Sequence, residues 1–248
     1  MAGKGRVAYV TGGMGGIGTA ISRRLCRDGF TVVAGCGPGS TRKDQWLEQM
    51  RSEGFAVYAS SGNVADWEST KEAFDRVKAE HGPVDVLVNN AGIAHDRLFR
   101  KMTSEQWHLV IETNLNSLFH VTKQVIEDMI DRGWGRIINI SSVNGQRGQS
   151  GQTNYSTAKA GIHGFTMALA LEVADKGVTV NTVSPGYIAT DMMRAVKPEV
   201  LDKIISTIPV KRIGEPDEIA SIIGWLASGE SGFATGADFS VNGGLHMS

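Results

Sequence analysis

The chain alternates short apolar runs with longer segments in which apolar residues recur at helical spacing. A short run without polar interruption is typical of a strand that is covered on both faces of a parallel sheet. Glycines, prolines and capping residues separate the two kinds of segment. The pattern predicts strands at 7–11, 31–35, 55–60, 84–88, 136–140, 178–184 and 238–241.

Helical periodicity fills most of the intervals between these strands. Residues 188–214 break the alternation with mixed helical pieces, which we interpret as a small lid insertion over the strand ends. The alternation predicts an α/β fold with a doubly wound, Rossmann-like parallel sheet, in a single domain over residues 1–248, with ligands at the carboxyl ends of the strands. Helices are predicted at 19–28, 44–53, 67–80, about 103–131, 216–226 and from Tyr155 to 176, with apolar periodicity over 158–176.

Composition excludes several classes of protein. The 248 residues are 41% hydrophobic, which is enough for one substantial core, and the formal net charge of -1 argues against nucleic acid or an anionic membrane as a partner. No apolar run reaches the roughly 18 residues that span a bilayer, and the first residues lead directly into a strand. We therefore expect a cytoplasmic protein. Cys26 and Cys36 suggest neither a disulfide framework nor a metal site.

A glycine-rich turn follows the first strand and opens the first helix. Its glycines fit Gly-x-Gly-x-x-Gly as Gly13, Gly15 and Gly18, and also Gly-x-x-x-Gly-x-Gly as Gly12, Gly16 and Gly18. Between a strand and a helix, such a turn lets backbone N–H groups and the helix N-terminus hold a pyrophosphate. The alternative is a merely tight turn. We interpret it as a dinucleotide site.

The end of the second strand indicates which dinucleotide is used. NAD sites place an Asp or Glu about 20 residues after the glycine turn, but this chain has Ala34 to Pro38 there, without an acid. Ser40, Thr41, Arg42 and Lys43 follow and supply hydroxyls and cations suited to a 2′-phosphate. These residues predict NADP, with Arg42 as the main phosphate contact. The alternative is a solvated basic start to the next helix.

Tyr155 and Lys159 lie one helical turn apart and therefore share a face. An ammonium about 4 Å from a phenol favours the phenolate by roughly 4 kcal/mol at an effective dielectric near 20, so the pKa of Tyr155 is predicted to fall toward neutral pH. Ser142, at the end of an earlier strand, is placed to hydrogen-bond the same substrate oxygen. The alternative is a solvated Tyr–Lys pair without a catalytic role.

Taken together and in order, the motifs of this chain resemble those of the short-chain dehydrogenases/reductases from end to end. The resemblance rests on Thr11-Gly12-x-x-x-Gly16-x-Gly18, Asn89-Asn90-Ala91-Gly92, Asn114, Ser142, Tyr155-x-x-x-Lys159 and Pro185-Gly186. It implies hydride transfer at nicotinamide C4, with Tyr155 as the acid/base, Ser142 on the carbonyl, Lys159 on the ribose and the phenol, and Asn114 holding a water of a proton relay.

The resemblance also extends the predicted cofactor site. Asn63 stands where many members have Asp, and Met14-Gly15 stands where NADP-using members often have Arg or Lys, so phosphate recognition rests on Arg42. The full set of predicted cofactor contacts is Gly12, Gly13, Met14, Gly15, Gly16, Ile17, Gly18, Gly35, Arg42, Gly62, Asn63, Val64, Asn90, Ala91, Gly92, Ile93, Tyr155, Lys159, Pro185, Gly186, Tyr187 and Ile188.

Within the family, residues 12–18, 33–38, 143–146, 152–155 and 239–244 resemble those of the members that reduce acetoacetyl-CoA to (R)-3-hydroxybutyryl-CoA for polyhydroxybutyrate synthesis. That similarity implies that the substrate meets Asp96, Ser142, Gln149, Gln152, Tyr155, Gly186 and Tyr187. Asp96, Gln149, Gln152 and Tyr187 have an alternative interpretation as ordinary polar loop residues. Ser150 stands where we expect a larger apolar residue.

Two other functions compete with this interpretation. A related reductase would take the same acyl group from an acidic acyl carrier protein; Lys176 suits such a partner, but Gly133-Trp134 lacks the expected basic residue. A dinucleotide sensor on an inactive enzyme fold would not need Asn114, Ser142, Tyr155 and Lys159 together. The family resemblance also implies a homotetramer, in which long helices and C-terminal strands pair between subunits.

Overall fold

A computed structural model describes residues 3, 5–194 and 196–247 of the chain. One seven-stranded sheet forms its centre, in the order β3-β2-β1-β4-β5-β6-β7, and every neighbouring pair is parallel. The predicted doubly wound α/β fold is confirmed. The strands are β1 Val7–Val10, β2 Thr31–Cys36, β3 Val57–Ser61, β4 Val84–Asn89, β5 Gly135–Ile140, β6 Val178–Pro185 and β7 Asp238–Val241.

Helices cover both faces of this sheet, and the predicted helical segments are all present with changed boundaries. Short 3₁₀ turns lie at 99–101 and 174–176. In the described part of the chain the helices are α1 Gly16–Arg27, α2 Lys43–Ser52, α3 Trp67–His81, α4 Ser104–Ile111, α5 Ser117–Lys123, α6 Ile126–Asp131, α7 Val143–Arg147, α8 Thr153–Val173, α9 Asp191–Arg194, α10 Pro198–Thr207 and α11 Pro216–Ala227.

The core forms two layers because side chains alternate across each strand. On β1, Ala8 and Val10 face the layer under α1 and α11, where Ile21 and Ile223 are fully buried. Tyr9 faces the opposite layer under α3, α5, α6 and α8. Both faces are apolar, as a parallel sheet that is covered on both sides requires.

The predicted long helix at 103–131 is interrupted. A capping box at Thr103 opens α4 as predicted, but a π-helical turn at Glu112–Asn116 separates α4 from α5, and a second break precedes α6. The π turn contains Asn114, whose fully buried amide hydrogen-bonds the backbone of Ile93. The interruption therefore places a polar side chain against the loop after β4, which is frequent for π turns at functional sites.

The helix that bears Tyr155 is predicted to open at Tyr155 and begins two residues earlier, at Thr153. Its first turn is polar, so it carries no apolar periodicity. Asn154 is nevertheless fully buried, and its amide nitrogen donates to the carbonyls of His95 and Gln106 at 3.3 Å each. No helix of the described residues is long and apolar enough to cross a membrane.

Residues 188–214 contain α9 and α10, in keeping with the predicted mixed helical pieces. Ile188 forms an isolated parallel bridge with Gly214, which brings the two ends of the segment together. Ala195 of the predicted insertion lies outside the described residues.

Candidate active site

The glycine turn after β1 lies where the strand order reverses between β1 and β4, the position at which doubly wound sheets bind ligands. Gly12 has a φ of 60°, in the left-handed region that glycine adopts without strain. A Cβ at Gly18 would collide with the carbonyl oxygen of Gly12, and a Cβ at Gly16 would lie 2.9 Å from Thr190 Cγ2. Neither position has room for a side chain, and the backbone of Gly15 and Gly16 is exposed at the start of α1.

Thr11 ties this turn to the loop after β4. Its hydroxyl accepts hydrogen bonds from the backbone N–H groups of Asn90 and Ala91, each at 2.9 Å. In return, Asn90 Nδ2 donates to the carbonyls of Thr11 and Gly12 at 2.9 and 3.1 Å. The two loops thus form one rigid wall, and Thr11 is a structural member of the site that our list of contacts left out, although it begins the glycine motif.

A cleft of about 800 Å³ runs along the carboxyl ends of the strands, and it unites most of the predicted cofactor and substrate residues. One end lies at β2 and the other at the loop before α8. The predicted residues that line it are Gly12, Met14, Gly15, Gly16, Ile17, Gly18, Gly35, Arg42, Asn90, Ala91, Gly92, Ile93, Asp96, Ser142, Gln152, Tyr155, Lys159, Pro185, Gly186, Tyr187 and Ile188.

Other predicted residues do not line this cleft. Gly13 is buried behind it, where its N–H donates to the Gly35 carbonyl at 3.0 Å. Gly62 and Val64 flank Asn63 after β3, and the Asn63 side chain accepts from the N–H of Ala65 at 3.2 Å. The roles of these residues stay predictions.

Asn114 and Gln149 also lie off the cleft wall. The Asn114 amide accepts from the N–H of Ile93 and donates to its carbonyl, so this side chain supports the loop that forms the wall. Gln149 is exposed, as is Ser150, in the loop between α7 and α8. Their predicted contacts with water and substrate are not tested by this geometry.

The end of the cleft at β2 has the character expected of a 2′-phosphate site. Cys36, Ser40 and Arg42 line it, whereas the acidic lining residues, Asp96 and Asp191, belong to other parts of the cleft. Arg42 is exposed at the start of α2, and among the described residues its guanidinium has no carboxylate partner. The glycine turn offers backbone N–H groups that fit a pyrophosphate, and the guanidinium of Arg42 fits the 2′-phosphate of NADP.

Ser142, Tyr155 and Lys159 converge at the middle of the cleft. Ser142 caps α7, where its hydroxyl accepts from the N–H of Asn144 at 3.1 Å, and it also hydrogen-bonds the Tyr155 phenol. Lys159 Nζ donates to the Ile140 carbonyl at 2.8 Å and lies 5.7 Å from the centre of the Tyr155 ring. The helix α8 and the end of β5 together fix this arrangement.

The predicted fall of the Tyr155 pKa toward neutral pH is wrong in direction. Burial raises the pKa of Tyr155 above its ordinary value, the hydrogen bond from Ser142 lowers it in part, and the charge of Asp96 raises it. Lys159 is itself fully buried, and burial lowers its pKa to about 8. The ammonium is held by a backbone carbonyl rather than against the phenol oxygen, and desolvation outweighs the attraction that the spacing alone suggests.

A chain of amide hydrogen bonds lines the other side of the cleft. Gln152 Nε2 donates to both carboxylate oxygens of Asp96, at 3.0 and 2.9 Å, and Gln152 Oε1 accepts from Asn144 Nδ2 at 3.0 Å. Because a carboxylate only accepts, Asp96 fixes the direction of the whole chain. Asn144 Oδ1 is left buried without a partner in the described structure. Asn144 also lines the cleft, although the sequence analysis did not predict it as a site residue.

Comparison with known proteins agrees with this geometry. A family model described as short chain dehydrogenase matches residues 6–200. The chain belongs to the short-chain dehydrogenase family, and it is an oxidoreductase that uses a nicotinamide cofactor.

Three proteins that are similar to this chain show which members of the family it resembles. An acetoacetyl-CoA reductase from Cupriavidus necator is 74% identical over 98% of both chains. A 3-oxoacyl-[acyl-carrier-protein] reductase from Haemophilus influenzae is 41% identical over 99% of this chain and 100% of its own. A solved structure from Agrobacterium tumefaciens, assigned as a gluconate dehydrogenase, has a TM-score of 0.93 at 33% identity and covers 98% of this chain and 96% of its own. The fold is thus shared by proteins named for quite different substrates.

Proposed function

We propose that this chain reduces the 3-oxo group of acetoacetyl-CoA with NADPH, giving (R)-3-hydroxybutyryl-CoA for polyhydroxybutyrate synthesis. The observation that carries the proposal is the 74% identity, over nearly the whole of both chains, to a protein named acetoacetyl-CoA reductase. The converging Ser142, Tyr155 and Lys159 support it, because they supply the groups that reduction of a ketone needs. We place the reaction in the cytoplasm.

The residues of this chain would hold NADPH along the cleft. The glycine turn would take the pyrophosphate, Arg42 the 2′-phosphate, and Asn90 to Ile93 with Pro185 to Ile188 the nicotinamide half. We propose that Lys159 contacts the ribose and that Asn63 and Val64 contact the adenine. When bound, the cofactor supplies a hydride from nicotinamide C4.

Tyr155 would donate the proton that the reduced oxygen needs, and Ser142 would hold that oxygen by a hydrogen bond. The raised pKa of Tyr155 favours this direction, since it keeps the phenol protonated at neutral pH. Lys159, with a pKa of about 8, is mostly cationic at neutral pH and stabilises the phenolate that forms after the proton has left. Asn114 would place a water that returns the proton to this group.

Residues 188–214 would act as a lid over the acyl thioester, and Asp96, Gln149, Gln152, Gly186 and Tyr187 would contact it. The wall that Gln152 and Asp96 form is polar and hydrogen-bonded within itself. Such a wall suits a thioester carbonyl but buries little of a longer acyl chain, and each added methylene gains at most about 0.8 kcal/mol where it is buried.

Acyl length tests this proposal. We expect kcat/KM for acetoacetyl-CoA to exceed that for the 3-oxo C8 thioester by about tenfold or more, because the additional methylenes find no apolar surface. Initial rates of NADPH oxidation with both thioesters, measured over a range of concentrations, give the ratio. Equal values would favour a reductase of fatty acid synthesis instead.

The carrier of the acyl group is the open alternative. The 41% identical relative is named for an acyl carrier protein, a strongly acidic partner that needs exposed cations around the pocket. Lys176 is exposed but already donates to Asp175 at 2.8 Å, and Trp134 stacks against Arg6 and Arg136. Trp134 and Lys176 lie where β5 and β6 begin, at the opposite edge of the sheet from the cleft, so the choice of carrier is decided by comparing the two substrates.

We also propose a homotetramer. A groove of about 440 Å³ runs between α5, α6 and α8, and apolar side chains stand exposed beside it or in it: Leu171 at 85%, Phe119 at 57% and Met167 at 54%. Met247 of the C-terminal tail is 76% exposed. Apolar surface of this extent is typical of subunit contacts. Light scattering at micromolar concentration should give four times the mass of the chain, and a monomer would refute the assembly.

A further inference from the structure

A chain of polar side chains runs behind the catalytic residues, from the edge strand β7 to the end of β5. Asp238 on β7 lies 3.5 Å from His163 Nδ1, measured to Asp238 Oδ2, and His163 Nε2 lies 3.0 Å from Ser141 Oγ. The Ser141 hydroxyl in turn donates to the Lys159 carbonyl at 2.8 Å. Ser141 precedes Ser142, and His163 lies one helical turn after Lys159. Two members of this chain of side chains therefore adjoin residues of the reacting centre.

The number of protons fixes the direction of these hydrogen bonds. A serine hydroxyl has one proton, and Ser141 gives it to the Lys159 carbonyl, which only accepts. The contact between Ser141 and His163 is therefore attractive only when His163 Nε2 carries a proton and donates it. The described geometry thus assigns the Nε2–H form to His163.

Asp238 lies beside the other ring nitrogen and belongs to the neighbouring strand. With the proton on Nε2, Nδ1 has none to donate, so Asp238 Oδ2 at 3.5 Å accepts no hydrogen bond from it. Asp238 Oδ1 accepts from the Ser184 hydroxyl at 2.7 Å, and Oδ2 accepts from Gln146 Nε2 at 2.7 Å. Ser184 precedes Pro185, which lines the cleft. The side chains of His163 and Asp238 are 20% and 26% exposed, and the short hydrogen bonds from Ser184 and Gln146 fix the carboxylate beside the ring.

Ser141 links two elements that the reaction requires in a fixed relation. It is 3% exposed and lies on the strand end that presents Ser142, whereas the carbonyl it contacts belongs to the turn of α8 that presents Tyr155 and Lys159. Without the donor on His163, the Ser141 oxygen loses a partner in a buried site. The distance between the end of β5 and α8 is then held by one hydrogen bond fewer.

We propose that His163 is a positioning residue of this enzyme: its Nε2–H orients Ser141 and so fixes Ser142 relative to Tyr155 and Lys159. The proposal rests on the proposed reductase activity but not on which thioester is the substrate. Misplacement of reacting groups by about 1 Å costs on the order of 10²-fold in rate, so the loss of this constraint should appear in kcat.

Two substitutions separate positioning from folding. His163→Gln keeps an N–H donor at the distance of Nε2, whereas His163→Leu removes it. We expect His163→Leu to lower kcat about ten- to hundredfold with KM for NADPH within about twofold, and His163→Gln to stay within about threefold of wild type. Ile162→Val is the matched control, because Ile162 is buried on the same helix and makes no polar contact through its side chain.

Nuclear magnetic resonance of the chain with ¹⁵N-labelled histidine tests the inference without any turnover. The signal that disappears in His163→Gln belongs to His163, and we expect it to show a protonated Nε2 at neutral pH. A bare Nε2 would overturn the proposal. So would equal kcat in His163→Leu and wild type, equal losses in the Leu and Gln variants, or an equal loss in Ile162→Val. If wild type fails to reduce acetoacetyl-CoA, the proposed function fails, and the state of Nε2 decides this inference alone.

Discussion

Replacement of Tyr155 by Phe is expected to lower kcat by about 10²- to 10⁴-fold, the range that general acid catalysis typically supplies. The substitution removes only the phenol oxygen, which lies with Ser142 at the middle of the cleft. The ring remains at its half-buried position on α8, so the fold and the cofactor contacts should persist. Steady-state rates with acetoacetyl-CoA, and the NADPH dissociation constant from fluorescence, measure the two effects separately.

The control for this experiment is Tyr187→Phe, which removes a phenol from the same cleft at a position that we assign to binding. It should raise KM more than it lowers kcat. If Tyr155→Phe kept more than about a tenth of the wild-type kcat, Tyr155 would not be the proton donor.

Replacement of Arg42 by Ala should raise KM for NADPH by about ten- to hundredfold and leave KM for NADH nearly unchanged. Only NADPH carries the 2′-phosphate, and a charge-assisted hydrogen bond of roughly 1.5–3 kcal/mol is lost with the guanidinium. Arg42 is exposed at the start of α2 and lacks a carboxylate partner in the described structure, so the fold should tolerate the change.

Arg51→Ala provides the matched control for Arg42. Arg51 lies at the other end of α2, is 76% exposed and pairs with Glu48 away from the cleft. It should leave both cofactors unaffected. A similar rise in KM for NADPH and NADH in Arg42→Ala would show that Arg42 supports the loop and does not select the phosphate.

The fold could be predicted because its signals are local. Each strand is a short apolar run, and the glycine turn after β1 needs a left-handed residue at Gly12 whatever the distant packing. The exact start of α8 and the π turn at Asn114 were not predicted, because long-range contacts determine them. Asn154 and Asn114 are buried by bonds to the backbones of His95, Gln106 and Ile93, and helical periodicity carries no trace of these bonds.

The sequence indicates which residues the structure brings together in the cleft, and it says less about their electrostatics. Helical spacing places Tyr155 and Lys159 on one face, but it does not reveal that Lys159 Nζ donates to the Ile140 carbonyl or that both side chains are desolvated. Burial reverses the direction of the expected pKa shift of Tyr155. Likewise, the link from Asp238 through His163 to Ser141 joins residues up to 97 positions apart, which no local pattern indicates.

The central claim is that the chain reduces a CoA thioester at the ketone next to Tyr155. The most direct measurement compares NADPH oxidation with acetoacetyl-CoA and with acetoacetyl-acyl-carrier protein at equal concentrations, with the product identified by mass spectrometry. We expect 3-hydroxybutyryl-CoA at a rate well above that for the carrier-bound substrate. A higher rate with the carrier-bound substrate, or no 3-hydroxybutyryl-CoA at all, would contradict the account.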